Sequence, residues 1–178
     1  MVDLPNLERR RIQGEVIKPI YDELVQEIGF ERARALLSRA ITRSAEQEAD
    51  RAAARDGQTS MAGFTRLFRR TYQDRGPDSG IEAEVLSAGP NHLDFDVTRC
   101  HFLDMYRELG LGEIADVLSC NRDGAFAQAY DPDIELDRAQ TIAAGAPCCT
   151  FRYRVRRSTG NAEHGEGSGA RGDEEDAS

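Results

Sequence analysis

Near Gly76-Pro77 the apolar residues change their spacing, and that change points to a fold in which helices and strands are segregated along the chain. Upstream, the spacing is helical. Ile12, Val16, Ile20 and Leu24 fall every fourth residue, and Ile17, Tyr21, Val25 and Ile28 widen the stripe. Pro19 predicts a kink or a restart, because proline removes an amide donor and crowds the preceding turn. Gly29 reads as a helix stop. A second helix is expected over residues 30–56, with Ala33, Leu36, Leu37, Ala40 and Ile41 on its buried face. Its later half, 44–55, is mostly alanine and charge, which predicts a face turned to solvent or to a partner. A third helix begins at Ser60, carries Phe64, Leu67, Phe68 and Tyr72 on one side, and ends at Arg75-Gly76-Pro77.

Downstream, apolar and polar residues alternate. Ile81, Ala83 and Val85 are separated by Glu82 and Glu84; after Gly89-Pro90-Asn91, Leu93, Phe95 and Val97 are separated by Asp94 and Asp96. This pattern predicts a hairpin with one wet face. Phe102, Met105, Tyr106 and Leu109 return to helical spacing up to Gly110, and Ile114, Val117 and Leu118 mark a short helix ending at Cys120. Residues 125–130 extend as helix, and two last strands are expected over 134–142 and 149–155.

The expected class is α+β: an antiparallel sheet of about four strands, built from two hairpins, with an N-terminal helical layer and inserted helices. The length of 178 residues suits one domain, residues 1–157, with a helical part (1–76) and a sheet-and-site part (77–157). Residues 158–178 carry glycine, serine and charge without apolar anchors and are expected to be a disordered acidic tail.

Composition excludes several classes of function. No run of about 18 apolar residues is present, so no membrane span is expected. The N-terminus lacks a basic start followed by an apolar stretch, so no secretory leader is expected and the protein is read as cytoplasmic. A net charge of −9 argues against nucleic acid as a partner. Local basic runs such as Arg9-Arg10-Arg11 and Arg69-Arg70 read as solvated helix faces. No glycine-rich phosphate loop follows a strand. The N-terminal helices are a candidate surface for homo-oligomers.

The chemistry points to the four cysteines, which in a reducing compartment are thiols rather than disulfides. Cys100 precedes His101, Cys120 lies in Ser119-Cys120-Asn121-Arg122-Asp123, and Cys148-Cys149 precede Thr150-Phe151-Arg152-Tyr153. Cys120 and Asp123, three apart, share a face on a helical turn. Arg122 or His101 could lower the thiol pKa and so make Cys120 a nucleophile. The same donors, Cys100, Cys120, Cys149 and Asp123 with His101, could instead hold zinc, although no Cys-x-x-Cys or His-x-x-x-His spacing supports it. Plainer readings stay open. Buried cysteine often serves as a small apolar filler, which suits Cys148 best. Asp123 could be a cap or a surface charge, His101 solvated, and Arg152 a cross-strand ion pair rather than a carboxylate clamp. His92 and His164 are not candidates.

Residues 99–154 resemble the L-2-amino-thiazoline-4-carboxylic acid hydrolase family. The resemblance rests on Cys100 with Met105-Tyr106 and Glu108-Leu109-Gly110, on the motif from Ser119 to Asp123, and on Pro132-Asp133-Ile134, Gln140-Thr141, Gly145 and Cys149-Thr150-Phe151-Arg152-Tyr153. Upstream, Val16-Ile17-Lys18-Pro19 and Tyr21 also fit. A proline usually follows the first cysteine in that family; here the position is His101.

The resemblance implies hydrolytic opening of a cyclic amidine to a carbamoyl amino acid, and a fold similar to 4-vinyl-reductase-type small-molecule-binding domains. The expected roles are Cys120 as nucleophile and Asp123 as proton carrier, with Cys100 and Cys149 in the same pocket. Asn121, Arg152, Gln140 and His101 would bind an amino-acid-like substrate, with no cofactor required beyond the zinc alternative. A non-catalytic domain that binds a small molecule or metal, or a biosynthetic relative that rearranges a ring, are the competing expectations.

Overall fold

The computed structural model describes residues 4–156, so the expected acidic tail lies outside the described residues. Helix α1 (Asn6–Ile28) and helix α2 (Phe30–Asp56) form a long helical hairpin. Gly29 turns it at a φ of 80°, a left-handed value that costs glycine little. α1 runs unbroken through Pro19, so the expected restart is absent; Pro19 lies on the exposed side.

The buried face of α1 also differs from the expected stripe. Ile12, Val16 and Ile20 are 44%, 59% and 55% exposed, whereas Gly14 and Tyr21 are buried and Ile17, Leu24, Val25 and Ile28 pack beside them. Both stripes have helical spacing, and a later helix, the one that carries Tyr106, chooses between them. Tyr106 and Leu109 press against Gly14 so closely that a Cβ there would meet the Leu109 side chain at 2.8 Å.

The later half of α2 is likewise packed rather than solvated. Ala45 and Ala49 are fully buried against the later helix that starts at Asn121, where the methyl side chains let the two helices approach closely. α3 (Met61–Phe68) is capped by Ser60, whose side chain accepts from the Gly63 amide, and runs on into a wide π-helical turn at Arg69–Gln73.

The hairpin expected after Gly76-Pro77 is present as β1 (Ile81–Gly89) and β2 (His92–Cys100). α4 (His101–Glu108), a π-helical turn at Asp116–Cys120 and α5 (Asn121–Tyr130) follow. β3 (Ile134–Asp137) and β4 (Cys149–Val155) complete a four-stranded antiparallel sheet in the order β1-β2-β4-β3. The strand expected over 134–142 therefore stops early. Arg138 leaves the sheet for Asp123, and Thr141 caps a short turn by accepting from the Ala144 amide.

Register sets one sheet face for the core. Leu93 pairs with Tyr153, Phe95 with Phe151 and Val97 with Cys149, and all six side chains are buried. Phe95 and Phe151 stack at 4.7 Å between ring centroids, and Phe68 stacks on Phe95 from α3 at 4.2 Å. A second apolar cluster joins α1, the first half of α2, α4 and the segment around Ile114 to Leu118. Among the described residues no helix is long and apolar enough to cross a membrane.

Candidate functional site: a cavity of thiols, one carboxylate and arginines

Between the inner face of the sheet and helices α2, α3 and α5 lies a cavity of about 790 Å³. Stacked aromatics form its floor, among them Phe95, Phe151 and Tyr153 from the sheet and Phe64 and Phe68 from α3. Cys100 at the end of β2, Cys120 before α5, Cys149 at the start of β4 and Asp123 on the first turn of α5 all line it. The π-helical turn at Asp116–Cys120, closed by the Asn121 amide donating to the Asp116 carbonyl, holds one residue more than an α-turn. That extra residue rotates the side chains that follow and helps turn Cys120 and Asp123 towards the sheet.

Asp123 is held by Arg138, which donates to its carboxylate at 2.5 Å and to the Cys120 carbonyl at 3.0 Å. The guanidinium also lies 5.1 Å from the centroid of the Phe151 ring. Burial raises the Asp123 carboxyl to about 6, and the opposing attraction of Arg138 is smaller. Arg138 itself is held above its ordinary value: burial works against its charge, and the Asp123 carboxylate beside it is the main opposing influence. The asymmetry follows from hydration. A carboxylate loses a strong hydration shell on burial, whereas a delocalised guanidinium loses a weaker one.

The thiols are driven the other way from a resting nucleophile. Burial, followed by the nearby Asp123, pushes Cys120 up to about 12, and burial pushes Cys100 up to about 11. Cys149 is also raised by burial, against the Ile142 amide that donates to its Sγ at 3.1 Å. Neither cation expected to activate Cys120 does so. Arg122 is drawn to Glu48 at 2.6 Å, and His101 pairs with Glu82 at 3.2 Å on the edge of the sheet.

The four expected substrate-binding residues lie away from the cavity lining. Asn121 is exposed and donates to the Ser38 hydroxyl at 3.3 Å, because it falls on the side of α5 that faces α2. Gln140 donates to the Cys148 carbonyl at 3.3 Å and to its Sγ at 3.1 Å. Arg152 alternates with inward-facing Phe151 and Tyr153, so it points to the other sheet face, where it pairs with Asp96 at 2.9 Å. His101 begins α4 outside the hollow.

Among the described residues no three His, Cys, Asp or Glu side chains gather closely enough to hold a metal ion. The expected zinc set Cys100, Cys120, Cys149 and Asp123 is not gathered in that way, and its carboxylate is engaged by Arg138.

Sequence reasoning missed Arg138, Glu48 and Arg10. Arg138 sits inside a segment that reads as strand, and Glu48 and Arg10 lie on helix faces that read as solvated. Only their burial at the cavity distinguishes them.

Fold and site together define an α+β domain with a four-stranded antiparallel sheet and a cavity of small-molecule size between its layers. Residues 9–153 match the L-2-amino-thiazoline-4-carboxylic acid hydrolase family, and the chain belongs to that family. No curated protein matches the sequence. Among solved structures, the fold is similar to the phenol-responsive sensory domain of the transcription activator PoxR with phenol. The TM-score is 0.50 at 18% identity, over 80% of this chain and 74% of that one. A trafficking protein particle complex subunit 3 from Naegleria fowleri, covalently bound to palmitic acid, matches at a TM-score of 0.40 and 13% identity, over 82% of this chain and 96% of that one.

Proposed function

We propose that this chain is a hydrolase that opens a cyclic amidine of the 2-amino-thiazoline-4-carboxylate type to a carbamoyl amino acid. Membership of the family supports the reaction class. The observation that carries the assignment to this cavity is Asp123, a carboxyl titrating at about 6 beside three thiols. A group with that pKa exchanges protons readily near neutrality.

In this reading the Cys120 Sγ attacks the amidine carbon and its proton passes to Asp123. The bond from that carbon to the ring sulfur breaks, and Asp123 returns the proton to the departing sulfur. Water then adds to the same carbon, the Cys120 sulfur leaves as a thiol, and a carbamoyl group remains. Because Cys120 rests with its pKa at about 12, its deprotonation depends on the substrate. A bound amidinium adds a positive charge to that of Arg138, which alone does not offset burial and Asp123 at the thiol.

The test is incubation with 2-amino-thiazoline-4-carboxylate and mass analysis for the gain of one water, with Cys120→Ser and Asp123→Asn as controls. Product from the parent protein, none from Cys120→Ser and far slower formation from Asp123→Asn is the expected result. Saturable binding without product at any pH would instead favour a binding domain. The raised thiols favour that second reading, and so does the fold shared with a phenol-responsive sensory domain.

A further inference from the structure

In a chain of net charge −9, eight of the residues lining the cavity are arginines and only three, Glu48, Asp56 and Asp123, carry carboxylates. The imbalance is densest around Glu48. Arg122 approaches one of its oxygens at 2.6 Å, Arg10 the same oxygen at 3.3 Å, and Arg9 the other at 3.3 Å. The side chains of Arg122 and Arg10 are only 9% and 13% exposed, so two of the three cations sit largely out of water. Among the described residues Glu48 is the single acceptor that Arg122 donates to, and no nitrogen of Arg122 is both sealed from the cavity and without a partner. One carboxylate thus serves three guanidinium groups, and a buried cation without full compensation is costly.

We infer that Arg10 and Arg122 form a subsite for the carboxylate of the ligand, with Glu48 as the resident counter-ion that spaces and orients them. Planar guanidinium groups suit a carboxylate, which accepts paired N–H bonds from each. The subsite adjoins the proton carrier: the positive charges of Arg122 and Arg10 are both felt at Asp123. A ligand with an anionic group at one end and a cationic amidine at the other would therefore span from the arginine pair to Asp123. The inference rests on the proposed substrate class. It replaces Arg152, whose guanidinium faces away, as the clamp for the substrate carboxylate.

The experiment compares two probes by calorimetry on the full chain: 2-amino-thiazoline-4-carboxylate, and 2-amino-thiazoline, which lacks the carboxylate. The parent protein is expected to prefer the first by roughly tenfold or more, the size of one or two charge-assisted hydrogen bonds. Arg10→Gln is expected to remove that preference by weakening the carboxylate probe alone, with affinity for cationic 2-amino-thiazoline no weaker than in the parent. Glu48→Gln is expected to strengthen binding of the carboxylate probe, because it removes a competing anion. Opposite signs for these variants are the signature; a merely structural cluster would weaken both probes in both variants. Should Arg10→Gln fail to fold, Arg10→Lys, which keeps the charge and loses the planar fork, is expected to give a partial loss confined to the carboxylate probe. Equal affinity of the parent for the two probes, or no binding of the first, overturns the subsite. Discrimination between probes without turnover would sink the hydrolase reading and leave the subsite standing; turnover without discrimination would do the reverse.

Discussion

Arg138 donates to Asp123 at 2.5 Å across fifteen positions of sequence, joining the end of β3 to the first turn of α5 inside the cavity. The bond takes Arg138 out of the sheet where β3 ends, and it holds a carboxyl facing aromatic walls close to the ionised form at neutral pH.

If Asp123 carries the proton, kcat/KM for a thiazoline substrate should rise on the acid side through a pKa of about 6. Asp123→Asn should lower the rate by roughly 10²–10⁴-fold and abolish that acid limb. A limb that persists in the variant assigns the titration to another group.

The same carboxyl has a stability signature. Its folded pKa of about 6 lies above the ordinary aspartate value, so the folded state binds the proton more tightly than the unfolded chain. Its contribution is fully present below about pH 4 and is lost as pH rises through about 6. Urea titrations at a series of pH values should show this slope in the parent and a flatter one in Asp123→Asn. Equal slopes in the two proteins would contradict the raised value.

Removing Arg138 leaves Asp123 without its ion-pair partner. Arg138→Met should cost on the order of 2 kcal/mol, less than a fully enclosed pair because Asp123 keeps 29% of its side-chain exposure. It should also move the Asp123 titration further up, readable from carbon-13 shifts of the carboxyl. A downward shift would show that Arg138 does not stabilise the ionised form.

The raised thiols predict slow alkylation of Cys100 and Cys120 by iodoacetamide near neutral pH, compared with the denatured chain. Saturating 2-amino-thiazoline, whose amidinium brings a positive charge, should accelerate modification at Cys120 above the unliganded rate. Uniform protection of every thiol by that ligand would count against activation of Cys120 by the substrate.

Much of the architecture is legible in local patterns. The helical spacing of residues 30–56, the alternation on both sides of Gly89-Pro90-Asn91 and the inward run of Phe151 and Tyr153 each lie within one element, and each corresponds to an element of the fold. Such patterns record the geometry of a short stretch of backbone, and neighbouring residues suffice to reveal them. The long-range choices are different. Ile12, Val16 and Ile20 have the same spacing as the face that α1 buries, and only the fit of Gly14 against Tyr106 and Leu109 decides between them. Ala45 and Ala49 read as a helix face turned to solvent or to a partner, yet small side chains are what a close crossing with α5 inside the same chain requires.

The candidate site divides in the same way. Chemically distinctive residue types made Cys100, Cys120, Cys149 and Asp123 visible in the amino-acid order, and the structure brings all four to one hollow. It also takes Asn121, Gln140, Arg152 and His101 elsewhere and brings in Arg138, Arg10 and Glu48 from segments that looked ordinary. Periodicity and residue type are properties of neighbours along the backbone. Which charges meet, and how much water they lose, depends on elements packed together from distant parts of the chain.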